Sequence, residues 1–501
     1  MSRRLSLVFL VLTTLVALAT VVYLTPRVDP FFDDDSTAYV EAGRNFAAGR
    51  GFVIWPYGLG GFREEFVPLV VFPPGFPFLI SLGVRLGASA EAAAIWIPRI
   101  CFLLMPALLY RVFRFVMPRG VSLVAAVISC LTPPVVFHSM CAMSDVPFLF
   151  ATLLGFWALF RGVSADRRRW IVAAGVVAGL AAGIRNAGYA VPVAVVAAFV
   201  LGGPWRRLSG YLVGFALGYS PIVIRNLVVF GIGQPYHMPP SGLSAGAVVR
   251  ETFRAFDAIF VAFTVSWAVV VPLLLALVGV STVWLFGGGR FARLRATQPA
   301  RLLCGSVLAL YAVAGVSMIV ITRYVWDVDP VNPRFLIQYH WVFVAWCSVV
   351  IGEGLSTSRV RSSVLRGALA VAIVGCLLVP QVGVARNQIE DMMWARGIAE
   401  EHRGLVDVIA ALPEDACVVA FHAPQLHLMY RRPVYQLDEI SPEVLSALVG
   451  PERPLVVIVF PFEPEMFHHW WEAVEGDPPA GFREIGRSGE VIAVERPRGV
   501  L

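Results

Sequence analysis

Long apolar segments separated by short arginine-rich stretches fill the first three quarters of the chain. Several of these segments have about the 20 residues that a helix needs to cross the hydrocarbon layer of a bilayer. The pattern predicts a polytopic α-helical membrane protein. We identify twelve such segments: Leu5–Leu24, Leu69–Leu86, Ala93–Phe115, Val121–Phe137, Val146–Phe160, Trp170–Ile184, Ala187–Leu201, Gly210–Phe230, Ile259–Phe286, Leu302–Ile321, Phe335–Ile351 and Val364–Val382.

The distribution of arginine along the chain indicates which of the apolar segments cross the membrane. Basic residues concentrate in cytoplasmic loops. If Leu69–Leu86 does not span, the basic clusters near residues 111–119, 161–169, 206–207, 290–295 and 359–361 all fall on the side of Arg3 and Arg4. The three prolines in its "FPPGFPFLISLGVRLG" also suit an interfacial or re-entrant helix better than a span. We therefore expect about 11 spans, with the amino terminus inside, the carboxyl terminus outside and Met1–Leu24 retained as the first span.

After residue 386 the sequence becomes mixed in polarity. "EEHRGLVDVIAALP" predicts an amphipathic helix, and "ACVVAF" and "PLVVIVF" predict buried strands. We predict a transmembrane domain over residues 1–386, with interfacial helices in an outer loop at about residues 25–92, and a soluble extracytoplasmic α/β domain over residues 387–501.

Composition supports this class of protein. The chain is 58% hydrophobic and only 15% charged, and the charge of +6 comes from arginines that topology explains, so no nucleic-acid partner is expected. The seven cysteines form no C-x-x-C pair, which argues against a disulfide framework or a zinc site.

Three consecutive aspartates, Asp33, Asp34 and Asp35, precede an amphipathic helix over Ser36–Ala48. One interpretation is that Asp35 or Ser36 is the N-cap of this helix. A single cap does not require three carboxylates, however, and carboxylates beside a bilayer are costly to desolvate. The second interpretation is therefore a functional acidic site.

A second acidic position, Asp145, starts an apolar segment in "HSMCAMSDVPFLF". It also admits the simpler interpretation of a helix start, with Pro147 in the first turn. Both acidic sites are predicted to lie at the outer surface. If they converge, they form the carboxylate pair that general-base or metal-assisted transfer uses.

Four arginines fall on the predicted outer face, where short loops should be poor in arginine. Snorkelling to the interface explains such residues in one interpretation. In the other, their guanidinium groups bind the phosphate of a lipid. The four are Arg185, Arg225, Arg323 and Arg334.

In their order along the chain, these motifs resemble the GT-C superfamily of integral-membrane glycosyltransferases. The resemblance is strongest to the protein-mannosyltransferase and aminoarabinose-transferase-like group, glycosyltransferase families 39 and 83. It rests on "DDDSTAYVEAGRNFAAGRGF", "FPPGFPFLISLGVRLG", "MSDVPFLF", "GLAAGIRNAGYAVP" and "PIVIRNLVVFG", and it covers most of residues 1–386.

The resemblance implies roles for particular residues. Asp35, four residues before Tyr39, matches the catalytic base, and Asp34 is the nearest alternative candidate for this role. Asp145 matches a second acidic residue that orients the base or acceptor or binds a divalent ion such as Mg²⁺ or Mn²⁺; metal use stays open. The resemblance also implies that Arg334, with Arg323 or Arg225, stabilises the leaving lipid phosphate. We add Arg185 as a further candidate for phosphate binding, and Tyr39, Glu65 and His138 as candidates for positioning the acceptor or donor.

One departure from the family is visible. Relatives often carry Glu-Lys before the proline pair that matches Pro73 and Pro74, whereas this chain has Val71 and Phe72 there. A donor-binding role for this stretch is therefore in question.

The function that the resemblance implies is transfer of a hexosyl or pentosyl group from a polyprenyl-phosphate donor, with inversion. The acceptor is a hydroxyl on a lipid, polysaccharide or protein outside the cytoplasm, and the location is a bacterial inner membrane. The alternatives are a transporter or flippase of cell-envelope precursors and a non-catalytic scaffold. A transporter should show internal repeats and polar residues deep in its spans, whereas here the acids cluster in outer loops.

Overall fold

The computed structural model describes most of the chain. The described residues are 3–31, 34–56, 65–235, 240–260, 296–328, 330–331, 333–357, 387, 390, 393, 396–397, 399–420, 423–436, 445, 449–459, 478–489 and 491–497. Two predicted spans, Ile259–Phe286 and Val364–Val382, lie almost wholly outside these residues.

Five described helices are long and apolar enough to cross a membrane, and there are six if the bent pair α5–α6 is one span. They match six of the predicted spans. The five are α1 (Arg3–Leu24), α4 (Ala90–Phe113), α7 (Asp145–Ser164), α10 (Trp205–Phe230) and α12 (Pro299–Val325). The pair α5 (Arg119–Leu131) and α6 (Pro133–Met140) bends by 50° at Thr132, in front of Pro133 and Pro134.

Three further predicted spans are helices that this count leaves out. Helix α8 (Arg168–Ile184) has 17 residues, and α9 (Ala190–Gly202) has 13 and follows a 3₁₀ turn over Asn186–Tyr189. Helix α13 (Pro333–Thr357) has the length of a span. The chain is an integral membrane protein, and the full number of spans stays a prediction.

The segment that we predicted to be interfacial or re-entrant contains α3 (Gly75–Arg85), a helix of 11 residues. At 1.5 Å per residue it is about 16 Å long, roughly half the thickness of the hydrocarbon layer. Pro73 and Pro74 precede it, which explains why the helix starts no earlier.

The chain divides into two compact units. The first comprises Met1–Thr25, Val70–Phe76 and Ile95–Ile389, and the second comprises Pro26–Leu69, Pro77–Ala94 and Glu390–Leu501. The second unit thus joins most of the first loop to the C-terminal region, and the predicted boundary at residues 386/387 stays a prediction.

Within the first unit, α8 and α10 pack through glycines spaced four apart on both helices, an arrangement that lets two membrane helices approach closely. A Cβ atom at Gly214 would overlap the backbone oxygen of Val172, and one at Gly218 would overlap that of Val176. The same holds for Gly175 against the backbone oxygen of Tyr211. Because backbone cannot move aside as a side chain does, these positions require glycine.

We expect Gly214→Ala to destabilise the membrane helices by about 1–3 kcal/mol, since the new methyl group forces the two backbones apart. Gly210→Ala is the matched control one turn earlier, where a Cβ atom would meet the side chains of Arg168 and Val172 at 3.5 Å, an ordinary contact. Thermal unfolding in detergent measures both. Equal melting temperatures for the two variants would contradict the packing argument.

In the second unit, α2 (Asp34–Ala47) packs on other segments of the first loop. Gly43 leaves room for Ile80 of α3, the rings of Phe46 and Phe52 stack at 4.0 Å, and Arg44 pairs with Glu91. The short strands β1 (Val53–Ile54) and β2 (Val67–Pro68), which follow α2 in the chain, pair antiparallel with each other.

The C-terminal part of this unit is a small α/β domain, as predicted. Its five-stranded sheet has the order β4-β3-β5-β7-β6, in which β4-β3-β5 are parallel and β5-β7-β6 antiparallel. The two predicted strands are β3 (Cys417–Ala420) and β5 (Leu455–Val459), and the sheet adds β4 (Val434–Gln436), β6 (Arg483–Ser488) and β7 (Val491–Arg496). Short helices α14 (Val406–Ala410) and α15 (Ala423–Tyr430) accompany it.

Apolar side chains fill both faces of this sheet. One face packs Leu405, Ile409 and Leu426 from the helical segments against the strands. On the other face, Trp55 of the first loop lies among Tyr435, Val457 and their neighbours. The first loop therefore contributes a core residue to the C-terminal domain.

Candidate functional site

The carboxylate of Asp145 lies between two guanidinium groups. Asp145 is fully buried, with its Oδ1 2.7 Å from Nη1 of Arg185 and its Oδ2 3.3 Å from Nε of Arg334. Arg185 Nη1 also lies 3.4 Å from Oγ of Ser144, to which it donates. We call Asp145, Arg185 and Arg334 the ion-pair cluster.

Local structure explains how the ion-pair cluster forms. Asp145 is the first residue of α7, where a carboxylate interacts favourably with the helix dipole. Arg185 directly follows α8 and has an extended backbone (φ −146°, ψ 141°), and Arg334 is the second residue of α13. Three helix ends therefore bring one carboxylate and two guanidinium groups together.

The ion-pair cluster consists of two guanidinium groups around one carboxylate. A guanidinium fork matches the geometry of a phosphate as well as that of a carboxylate. The two arginines therefore supply the donors that recognition of a phosphate requires.

His138 lies beside the ion-pair cluster. It sits on α6, is 6% exposed, and is close enough to Asp145, Arg185 and Arg334 to interact with all three electrostatically. The fold brings His138 close to the cluster, and its predicted role in positioning the acceptor or donor stays a prediction.

A cleft with an empty volume of about 300 Å³ lies next to the ion-pair cluster in the first unit. Asn186 lines it, and the preceding residue Arg185 belongs to the cluster. Both apolar and polar residues line the cleft. The remaining lining residues are Val70, Phe72, Pro73, Pro74, Tyr219, Ile222, Arg225, Asn226, Gln234 and Pro235.

Arg225 is held in place in this cleft. Its Nη1 donates to Oδ1 of Asn226 at 3.0 Å, and its guanidinium lies 4.8 Å from the centre of the Phe230 ring. Asn226 in turn donates to the backbone oxygen of Gly233 at 2.9 Å. The sequence predicted Arg225 but not the lining residues Asn186, Tyr219 and Gln234, whose only sequence signal is their proximity to Arg185 and Arg225.

Arg323 occupies a different place. Its guanidinium pairs with Glu251 of α11 (Ala245–Phe260) at 3.1 Å and with Asp327 at 3.1 Å. The hydrogen bond from Arg323 lowers the pKa of Glu251 below its ordinary value. Two carboxylates already balance the charge of Arg323, and its phosphate-binding role stays a prediction.

The residues predicted in the first loop belong to the second unit. Asp35 is partly buried in the first turn of α2, Tyr39 is 2% exposed on the same helix, and Glu65 is exposed. Asp34 begins the helix, and Asp33 lies outside the described residues. Convergence of Asp35 with Asp145 stays a prediction.

A divalent ion at Asp145 fits this arrangement poorly. Both oxygens of Asp145 already face guanidinium groups, which repel a cation. In the described part of the chain, no group of three or more His, Cys, Asp or Glu residues could hold a metal ion. Metal use by the protein, which the sequence leaves open, stays a prediction.

Comparison with known proteins agrees with the predicted resemblance. A family model described as dolichyl-phosphate-mannose-protein mannosyltransferase matches residues 72–223. This region contains Pro73, Pro74, Asp145 and Arg185. No curated protein matches the chain.

Solved structures share the fold. The crystal structure of ArnT from Cupriavidus metallidurans bound to undecaprenyl phosphate is 16% identical, with a TM-score of 0.60 and 98% coverage of both chains. The oligosaccharyltransferase of Archaeoglobus fulgidus in its apo form is 13% identical, with a TM-score of 0.61 and coverage of 94% of this chain and 71% of that one. The archaeal AglB from the same organism, in complex with an inhibitory peptide and a dolichol-phosphate, is 14% identical, with a TM-score of 0.53 and coverage of 95% and 71%.

These matches confirm the predicted GT-C fold and the predicted similarity to membrane glycosyltransferases. They give no support to the transporter or flippase alternative. At these identities the structural likeness establishes the fold. It does not establish the donor, the acceptor or the roles of individual residues.

Proposed function

We propose that the protein is a glycosyltransferase that moves a sugar from a polyprenyl-phosphate donor to an acceptor hydroxyl. The proposal is supported by the cluster of Arg185 and Arg334 around the buried Asp145, beside a cleft that contains Arg225, within a GT-C fold. The direct test is release of sugar from such a donor by the purified protein in lipid nanodiscs.

The donor phosphate would bind Arg334 and Arg225, with Arg185 held between Asp145 and the cleft. Guanidinium groups in a buried site stabilise the charge that develops on the phosphate as the sugar leaves. The apolar lining of the cleft, including Phe72, Pro73 and Ile222, suits the first isoprene units of the lipid. The cleft thereby offers contacts to both parts of the donor.

Asp35 would act as the base. It would take the proton of the acceptor hydroxyl as that oxygen attacks the anomeric carbon. The bond from the anomeric carbon to the phosphate oxygen breaks at the same time, its electron pair leaves with the lipid phosphate, and attack from the opposite face inverts the configuration. The proton then passes from Asp35 to water. Asp34 is the alternative base, and His138 and Tyr39 would help to orient the reactants.

The proposed location follows from topology. The clusters of arginine support a location of the first loop and the C-terminal domain outside the cytoplasm. We propose a bacterial inner membrane, with the acceptor a lipid, polysaccharide or protein outside the cytoplasm.

We expect Arg225→Ala to raise KM for a polyprenyl-phosphate-sugar by about 10- to 100-fold, since a hydrogen bond to a charged group contributes about 1.5–3 kcal/mol. Steady-state kinetics in nanodiscs over a range of donor concentrations measures this. Arg206→Ala is the control, because Arg206 is an exposed residue near the start of the same helix. A donor KM that is unchanged in Arg225→Ala would remove Arg225 from the donor site.

A further inference from the structure

A buried carboxylate on α2 binds a histidine of the C-terminal domain. Oε1 of Glu41 lies 3.1 Å from Nε2 of His427 on α15, and Oε2 of Glu41 accepts the backbone N–H of Trp55 at 3.0 Å. Glu41 is 3% exposed, and the His427 side chain is 13% exposed. Both residues belong to the second compact unit. We call Glu41, His427 and Trp55 the α2 anchor.

The α2 anchor is built into a core. The indole of Trp55 stacks on the imidazole of His427, with ring centres 5.9 Å apart and planes 9° from parallel. The same indole meets the ring of Tyr435 on β4 at 6.0 Å and belongs to the apolar core of the five-stranded sheet. Since a buried carboxylate without partners is costly, Glu41 strongly favours this one orientation of α2.

Glu41 and Asp35 lie on the same helix, six residues apart. At 3.6 residues per turn this is about 240° around the axis and about 9 Å along it. Fixing Glu41 therefore fixes the direction in which Asp35 points. A rotation of α2 by about 10–20° would move a carboxylate about 6 Å from the helix axis by about 1–2 Å.

From this geometry we infer that Glu41 and His427 are positioning residues, through which the C-terminal domain sets the orientation of the Asp35 carboxylate for transfer. The inference rests on the proposed function, in which Asp35 is the base. Neither residue touches the reacting atoms. A displacement of about 1 Å can cost about 100-fold in rate, so loss of the anchor should lower kcat while the donor-binding residues of the first unit remain in place.

The test uses the full-length protein in nanodiscs. We expect His427→Ala and Glu41→Gln to lower kcat by about 10- to 100-fold with the donor KM within about twofold of wild type. His427→Gln, whose amide can still donate to Glu41, should recover most of the rate. Arg483→Gln is the matched control, because it removes an ion pair to Glu495 at 2.9 Å between two strands of the same domain.

Hydrogen exchange measured by mass spectrometry provides a second readout. Amides of α2 should lose protection in His427→Ala and keep it in His427→Gln and Arg483→Gln. This readout also identifies a variant that has unfolded as a whole, because protection would then be lost across the sheet as well.

The outcomes separate the two proposals. Slower turnover with lost protection confined to α2, and recovery in His427→Gln, supports the inference. Wild-type kcat in His427→Ala and Glu41→Gln overturns it and leaves the proposed function standing. If the wild-type protein turns over no donor, the proposed function fails and the positioning role fails with it.

Discussion

Replacing Asp35 by asparagine should lower kcat for sugar transfer by about 10²- to 10⁴-fold, the contribution of a positioned general base. The amide has nearly the same shape but cannot accept the proton of the acceptor hydroxyl. Donor binding should persist, because the phosphate contacts are assigned to arginines of the first unit. The measurement is kcat and donor KM from radiolabelled sugar transfer in nanodiscs.

The adjacent aspartate supplies the control for this experiment. Asp34→Asn changes the same group one residue earlier in α2 and should retain most of the rate. A large loss in Asp34→Asn with little change in Asp35→Asn would assign the base to Asp34. Wild-type rates in both variants would show that neither carboxylate takes the proton.

Replacing Asp145 by asparagine should both destabilise the membrane domain and abolish transfer. The carboxylate is the shared ion-pair partner of two guanidinium groups in a site where it is itself fully buried. Removing one partner of a buried ion pair typically costs about 3–5 kcal/mol, because the remaining charge has lost its compensation. We expect a clear drop in melting temperature and loss of turnover, measured by thermal unfolding in detergent and by the transfer assay.

An exposed ion pair provides the matched control. Asp166 lies 2.5 Å from Nη2 of Arg207, but its side chain is 80% exposed, and such pairs contribute little. Asp166→Asn should therefore leave melting temperature and turnover close to wild type. If Asp145→Asn and Asp166→Asn melted at the same temperature, the ion-pair cluster would have no structural role.

Much of the fold was predictable because periodicity and composition report on burial. The apolar segments predicted α1, α4, α7, α10 and α12 within a few residues, and the prolines before α3 predicted a helix too short to span. The C-terminal domain was predicted from two apolar strands. The strand β6 was missed because it is largely polar, and β4 because it has only three residues. The strand β7 does contain a short apolar run, residues 491–494, which the prediction overlooked.

The site was only partly predictable, since a linear pattern identifies residue types and not their partners. Asp145 and Arg334 were both singled out, but 189 residues separate them, and only folding shows that they pair. The same limit applies to Arg323, whose partner Glu251 carries no distinctive motif, and to Glu41 and His427, which are 386 residues apart. Arginines that look alike in sequence therefore have different partners in the fold.

The central claim is tested most directly by release of sugar from a panel of radiolabelled polyprenyl-phosphate-sugars. Purified wild-type protein in nanodiscs would be assayed beside Asp35→Asn and Arg334→Ala, with circular dichroism and melting temperature to verify folding. We expect the wild-type protein to turn over at least one donor. Turnover of that donor should be lost in Asp35→Asn and strongly reduced in Arg334→Ala. Turnover of a donor at equal rates by all three folded proteins, or no turnover by any of them, would contradict the central claim.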